Sequence, residues 1–258
     1  MTPPPLMPLP AEALRDRVVL VTGAGAGLGR ATALRCARAG ATVVLLGRTI
    51  SKLEACFDAI AELPDAPEAA IYPMDLSGAS DRDMHDCITR VVEELGRLDG
   101  VVHAAAHWQD FRAMSDVLSS DWANTLAANI TAPWALTRAA LPHLQAVEDG
   151  CAVFVDCECA HTPAVFHGAF GVSKAALRAM VAGWALENPG IRLHTFDPGP
   201  MRTTMRLLGY PGHPAESYPL PEIPAEALSA LLAPDAAHRA QIASQVHWAS
   251  DPPPSSAP

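Results

Sequence analysis

One doubly wound α/β domain, with helices on both faces of a parallel sheet of about seven strands, is the architecture these 258 residues point to, on three observations. Short runs of apolar, β-branched residues alternate with stretches of helical spacing ten or more residues long, the pattern of βαβ units. The first apolar run, Val18-Val19-Leu20-Val21, enters a turn with glycines at 23, 25, 27 and 29 and leaves it as a helix. Half of the residues are hydrophobic and only 18% are charged, which suits a compact domain with a buried sheet and not a disordered chain.

Each element follows from its own stretch. Residues 1–14 are expected as a flexible, proline-rich lead without the basic segment and apolar block of a secretory signal. The first strand falls near 17–22 and its helix near 27–39, where Ala31, Leu34 and Ala37 keep helical spacing and Gly40 is the stop. Thr42 to Leu46 is a second buried strand ending at Gly47-Arg48. Ser51 is the expected cap of a helix to about Leu63, with Glu54 as its capping-box partner, before Pro64 and Pro67 break the chain. Ala69 to Met74 is a third strand, closed by Asp75-Leu76-Ser77, and a helix follows over 80–96. Leu98 to Ala106 holds the fourth strand, and 121–141 a long helix with Asn129 in its interior. Cys151 to Val155 is the fifth strand, Phe170 to Leu186 a helix, and Ile191 to Phe196 the sixth strand, which ends at Asp197-Pro198-Gly199-Pro200. Residues 206–224 are too rich in Pro and Gly for a long element, Ala225 to Leu232 is a short helix, and Gln241 to Val246 is a last edge strand. The domain spans 15–250, and 251–258 is a loose polar tail.

Composition removes several classes of function. A net charge of −10 with no Lys/Arg cluster lacks the positive field that nucleic-acid binding needs. No apolar run approaches the length of a membrane span. Six irregularly spaced cysteines are expected as reduced thiols in a cytoplasmic protein.

The glycine turn carries the strongest chemical signal. Glycines let the backbone turn sharply and let a ligand approach without a Cβ in the way. The helix start behind them offers unpaired N–H groups and the positive dipole end to a phosphate.

Taken together, these residues resemble the short-chain dehydrogenases/reductases over about 15–250. The resemblance rests on Thr22-Gly23-x-x-x-Gly27-x-Gly29, Asp75-Leu76 after the third strand, Asn129, Lys174, and Pro198-Gly199 after the sixth strand. Leu45-Leu46-Gly47-Arg48 resembles the enterobacterial-type oxidoreductase branch of that family. It implies a Rossmann fold and a nicotinamide cofactor held by Thr22, Gly23, Gly25, Gly27, Leu28, Gly29, Arg48, Asp75, Leu76, Lys174, Pro198 and Gly199. Relatives that prefer NAD(H) carry an acidic residue at the end of the second strand. This chain has Gly47-Arg48 there, and a guanidinium can grip a 2′-phosphate with paired, charge-assisted bonds, so NADP(H) is expected over NAD(H). Arg30 is a second candidate for the phosphate.

The family moves a hydride to or from a substrate carbon while a tyrosine, assisted by Ser, Lys and Asn, moves the proton at the oxygen. Here the resemblance breaks. Lys174 is present, but the residue four before it is Phe170, which has a ring and no proton to give. The serine position is Cys157, and the family's Asn-Ala-Gly reads Ala104-Ala105-Ala106. Tyr72, Tyr210 and Tyr218 lie elsewhere in this alignment. Three readings stay open: an enzyme with a different acid, a catalytically silent NADP(H)-binding protein, or a tyrosine placed elsewhere by the fold. Substitute acids are Asp156, Cys157, Glu158, Cys159, His161, His167, His103 and His107. Cys157, Cys159 and His161 at alternate positions raise a soft metal site, but the spacing matches no zinc pattern, and no metal is expected. By the same resemblance, helices 121–141 and 170–186, with Trp122, Trp134, Leu136, Met180 and Trp184, pair subunits into a homodimer or homotetramer. The loop 206–224 closes over a small-molecule substrate, and its Leu207, Leu208, Tyr210 and Tyr218 favour an apolar or aromatic one.

Overall fold

A computed structural model of the chain describes residues 9–160, 162 and 165–234. Six strands form one sheet: β1 (Val18–Thr22), β2 (Thr42–Gly47), β3 (Ala70–Pro73), β4 (Gly100–His103), β5 (Cys151–Val155) and β6 (Arg192–Phe196). All are parallel, in the order β3-β2-β1-β4-β5-β6. The order reverses between β1 and β4, and in such sheets ligands lodge in the crevice outside the carboxyl ends at that point. The helices are α1 (Gly27–Arg38), α2 (Ile50–Ala61), α3 (Asp81–Leu95), α4 (Ser119–Leu126), α5 (Ala132–Gln145), α6 (Gly168–Glu187), α7 (Thr204–Gly209) and α8 (Glu222–Leu231).

Strand side chains alternate between two cores, as the period of two requires. Val19, Val21, Val43, Leu45, Val102 and Val153 pack with α1, α2 and α8. Val18, Leu20, Val44, Leu46, Val101, Ala152 and Phe154 pack with α3, α5 and α6 on the opposite face. Both faces are covered, so β1, β2 and β5 are continuous apolar runs and not alternating ones. Leu9 and Leu14, within the stretch read as a lead, are buried against the first of these cores. Arg35 donates to the Leu9 carbonyl and pairs with Glu226 of α8.

The structure corrects two expectations about elements. The helix after β2 starts at Ile50 with Thr49 as its N-cap, so the Ser51–Glu54 capping box does not form. A capping box does form on α3, between Ser80 and Asp83. The long helix expected over 121–141 is two helices joined by a π-turn, Ala127–Thr131, which carries Asn129. The expected edge strand 241–246, which would be the seventh, and the tail 251–258 lie outside the described residues.

Candidate cofactor and catalytic site

Because every strand runs the same way, every strand-end motif is delivered to one edge of the sheet. The glycine turn follows β1, Gly47-Arg48 ends β2, and Asp75 follows β3. Ala104 to His107 follow β4, Asp156-Cys157 follow β5, and Asp197 to Gly199 follow β6.

The glycine turn is tightly enclosed. Gly23 has φ +70°, and a Cβ there would stand 2.9 Å from the Ala105 backbone. Thr22 Oγ1 accepts the Ala105 N–H at 3.1 Å, tying β1 to the β4 loop. A Cβ on Gly29 would stand 2.3 Å from the Gly23 carbonyl oxygen, so α1 begins directly on the turn. Ala26 caps α1 without a side-chain bond, and no acidic residue stands in its first turn. The first N–H groups and the positive dipole end of this helix therefore face the crevice without a competing carboxylate, which fits a phosphate. From the other side comes Thr203, whose Cγ2 lies 3.2 Å from where a Gly27 Cβ would be and whose Oγ1 accepts the Arg206 N–H at 3.2 Å. Arg48 is exposed at the end of β2. Asp75 uses Oδ1 to accept the Ser77 N–H at 3.0 Å, and Leu76 packs on the second core. Gly199, φ +66°, donates its N–H to Asp197 Oδ1 at 2.8 Å and turns the chain after β6.

The centre of the site is built on α6 and the π-turn. Lys174 is 3% exposed, and its Nζ donates to the Val155 carbonyl at 2.6 Å. Burial pulls its pKa down to about 8, while Asp156 and Asp197 push the other way. The same Nζ lies 5.6 Å from the centroid of the Phe170 ring, so a helical turn does bring the two residues together. Asn129 is buried with all its bonding engaged. Its Oδ1 accepts the His107 N–H at 2.7 Å, and its Nδ2 donates to the His107 carbonyl and to Ser173 Oγ, both at 3.0 Å. Ser173 Oγ in turn donates to the Phe170 carbonyl at 2.7 Å. The π-turn thus pins the β4 loop to the first turns of α6. In that pinned loop, His107 Nε2 is buried without a hydrogen-bond partner among the described residues.

Several candidate acids are engaged elsewhere. His103 is 3% exposed, stacks on Phe154 at 4.5 Å and shares a 2.8 Å bond with Thr137 Oγ1. Burial, aided by the Lys174 charge, holds its pKa down to about 3, so it is a neutral core residue and not an acid of the site. Asp156 accepts the Cys157 N–H at 2.8 Å, and Arg178 stands 3.7 Å from its other oxygen. Glu158 is exposed, and His161 lies outside the described residues. His167 bonds the Val165 carbonyl at 3.1 Å and meets the Phe111 ring at 4.9 Å. Cys157 and Cys159 are joined in a disulfide, which corrects the expectation that all six cysteines are reduced; the other four are buried. No group of three His, Cys, Asp or Glu residues is placed to hold a metal among the described residues.

None of the three tyrosines takes over the Phe170 position. Tyr72 sits on the edge strand β3, beside a cleft of about 350 Å³ lined with Arg90 and Glu94. Tyr218 Oη bonds His213 Nδ1 at 2.8 Å, and Tyr210 packs on Phe111 and under Arg206. Trp108, Phe111 and Tyr210 form an aromatic stack between the β4 loop and the end of α7. The sequence reading missed this stack, and also Thr203 and Ser173. Their only signal was position, a few residues beyond Pro198-Gly199 or directly before Lys174. The helix residues named for subunit contacts divide: Leu136 is fully buried, Trp134, Met180 and Trp184 pack on the core, and Trp122 is 36% exposed.

Comparison with known proteins places this site in a family. The short chain dehydrogenase family model matches residues 17–208. The chain is 33% identical over 201 residues to the uncharacterized oxidoreductase YciK of Escherichia coli K12, covering 78% of this chain and 79% of that protein. It is 32% identical over 190 residues to 2,3-dihydro-2,3-dihydroxybenzoate dehydrogenase of the same organism, covering 73% and 71%. Among solved structures, a short chain dehydrogenase of Escherichia coli CFT073 complexed with NADPH superposes with a TM-score of 0.85 at 31% identity, over 89% of this chain and 95% of that one. A short chain dehydrogenase of Shigella flexneri complexed with NADP gives 0.81 at 32%, over 86% and 92%. The chain belongs to the short-chain dehydrogenase family. It has the family's α/β Rossmann-like fold and, among the described residues, no helix long and apolar enough to cross a membrane.

Proposed function

We propose that this protein binds NADP(H) and reduces a small carbonyl or imine compound, with His107 rather than a tyrosine as proton donor. The observation that carries the reading is the pinned cluster at the sheet edge. Lys174 is buried beside the Phe170 ring, Ser173 and Asn129 connect α6 to the β4 loop, and that loop holds a buried His107 Nε2 with no hydrogen-bond partner among the described residues. An imidazole nitrogen can carry a proton to a substrate oxygen or nitrogen, and a buried ring nitrogen without a partner among the described residues is rare enough to imply a ligand there.

The residues fit the cofactor. The turn from Gly23 to Gly29, with Thr22 and Leu28, leaves no room for a Cβ at Gly23, Gly25 or Gly29 and turns helix N–H groups outward, which suits a pyrophosphate. Arg48, exposed and free of a neighbouring acid in the sequence, holds the 2′-phosphate. Asp75 and Leu76 border the adenine, Pro198, Gly199 and Thr203 close the crevice, and Lys174 bonds the nicotinamide ribose. When bound, the nicotinamide supplies a hydride to the substrate carbon. His107 donates the proton to the substrate oxygen or nitrogen, Asn129 keeps the loop in register, and the Trp108–Phe111–Tyr210 stack excludes water. The NADP and NADPH in two solved relatives support the cofactor. Subunits pair through the helices on either side of the π-turn and α6, as a homodimer or homotetramer, with Trp122 at the contact.

One observation favours a second reading, a silent NADP(H)-binding protein. Phe170 has no proton and the sulfur of Cys157 is tied to Cys159, so both side chains that replace the usual Tyr and Ser are without an acidic O–H.

Titration with NADPH and NADH tests the cofactor, and turnover over a panel of carbonyls and imines tests the rest. NADPH binds more tightly, and Arg48→Ala weakens NADPH by about 10- to 100-fold, the worth of charge-assisted bonds, while leaving NADH unchanged. Equal affinity for the two cofactors sinks the assignment of Arg48. Cofactor binding without turnover of any compound decides for the silent protein, as does turnover that survives His107→Ala for a different donor.

A further inference from the structure

The Cys157–Cys159 disulfide spans a single intervening residue at the carboxyl end of β5. Cross-linking residues so close in sequence constrains the unfolded chain far less than a long-range bridge does, so fold stability does not account for it. Its surroundings differ from those of the other cysteines. Cys36, Cys56, Cys87 and Cys151 are buried. Burial raises Cys56 and pushes Cys36 and Cys87 up to about 12, which leaves them little thiolate and makes them inert. Cys157 and Cys159 are half-buried and flank the exposed Glu158. The turn that carries them is held by bonds of its own: Ala160 N–H to the Cys157 carbonyl at 2.9 Å, Thr162 N–H to the Glu158 carbonyl at 2.9 Å, and Cys157 N–H to Asp156 Oδ1 at 2.8 Å. Those bonds do not need the S–S bond, so the two sulfurs stay neighbours when it opens, across Cα atoms 5.3 Å apart. The turn also rests on the start of α6, where the Cys159 carbonyl lies 4.0 Å from where a Gly171 Cβ would stand, between Phe170 and Lys174 in sequence.

We propose that Cys157 and Cys159 form a reversible thiol–disulfide exchange site at the reaction crevice, with low-molecular-weight thiols and disulfides as its partners. In opening, a small thiolate attacks one sulfur of the pair, and the S–S bond breaks into a mixed disulfide and one cysteine thiolate, which takes a proton from water. A second small thiolate attacks the mixed disulfide at the small-molecule sulfur, releasing the small disulfide and the second cysteine thiolate. Two electrons pass from two small thiols to the pair, and closing runs the same steps backwards. Opened, the pair sets two weak S–H donors at the crevice edge; closed, it withdraws both. The inference stands on the placement of the pair and not on the cofactor reading, so either can fail without the other.

The test equilibrates the full chain in mixtures of reduced and oxidised glutathione, quenches with acid, alkylates, and reads intact and peptide masses. The peptide with Cys157 and Cys159 goes from two alkylated thiols to none as the oxidised share rises, while the other four cysteines do not change. In the folded reduced protein the pair alkylates at least about ten-fold faster than any buried cysteine, as its greater exposure dictates. Cys159→Ser and Cys157→Ser each take up one glutathione, and the double variant takes up none. A pair that stays closed, or stays open, across the whole range overturns the proposal, as does exchange at the buried cysteines at a similar rate. The wild-type titration needs no variant to fold.

Discussion

Phe170→Tyr restores one hydroxyl to a ring whose centroid lies 5.6 Å from Lys174 Nζ. The hydroxyl oxygen stands off the ring centroid, so in a site of effective dielectric near ~20 an ammonium at this range favours the phenolate by about 2–4 kcal/mol. That is about two pKa units, which brings the new phenol from ~10 towards ~8. Burial holds Lys174 itself to about 8, so the two groups titrate as a pair. The first measurement is the phenolate absorbance of the variant minus that of the parent across pH, in which Tyr72, Tyr210 and Tyr218 cancel. A new ionisation near pH 8 is expected, and Lys174→Ala in the same background returns it towards ~10. The second measurement is NADPH oxidation over a carbonyl panel, where a positioned acid is worth about 10²- to 10⁴-fold. A new phenol that titrates at ~10 whether or not Lys174 is present would refute the geometry. A fall in turnover that the parent already shows would refute the idea that residue 170 lacks only a hydroxyl.

Three further outcomes follow from the same contacts. Gly29→Ala sets a Cβ 2.3 Å from the Gly23 carbonyl oxygen, and the forced shift costs about 1–3 kcal/mol in urea unfolding and removes NADPH binding; an unchanged midpoint and affinity would show that the turn is looser than described. Asn129→Ala leaves the His107 N–H and carbonyl and Ser173 without their partner and lowers stability by about 1–3 kcal/mol, with faster amide exchange at His107 as the specific sign. His103, held down to about 3 by burial, resists a proton that the unfolded chain takes near ~6.5. Its contribution is complete above pH ~6.5 and is lost at about 1.4 kcal/mol per pH unit as pH falls towards 3. Unfolding free energies of His103→Phe, which keeps a ring against Phe154, should lose that slope between pH 6 and 4, and equal slopes in the two proteins would contradict the assignment.

Much of the frame was legible because it is written in local signals. The six described strands stand within a few residues of their expected positions, since most are apolar runs bounded by Gly, Pro or Asp. The start of α2 was misplaced by two residues because Thr49 and Ser51 are both good caps and the choice depends on how the chain leaves β2. The π-turn was invisible, because apolar spacing runs unbroken through 121–141. It is the bonds from Asn129 to the His107 backbone, twenty-two positions away, that go with the extra residue in the turn. His103 looked like a candidate acid beside His107. The pleat separates them: one points into the core against Phe154, and the other lies past the strand end at the crevice.

The succession of strands and helices along the chain, the glycines after the first strand, and the absence of a hydroxyl at residue 170 are properties of the amino-acid string, because each depends on a residue and its near neighbours. The strand order that sets all six ends around one crevice, the company of Lys174, the engaged Asn129, the closing of Thr203 on the glycine turn and the bond between Cys157 and Cys159 belong to the folded molecule. Most of these join residues far apart in the chain, and the last depends on the turn that β5 and α6 impose. Such separations are set by how the sheet and helices pack, which no local preference specifies.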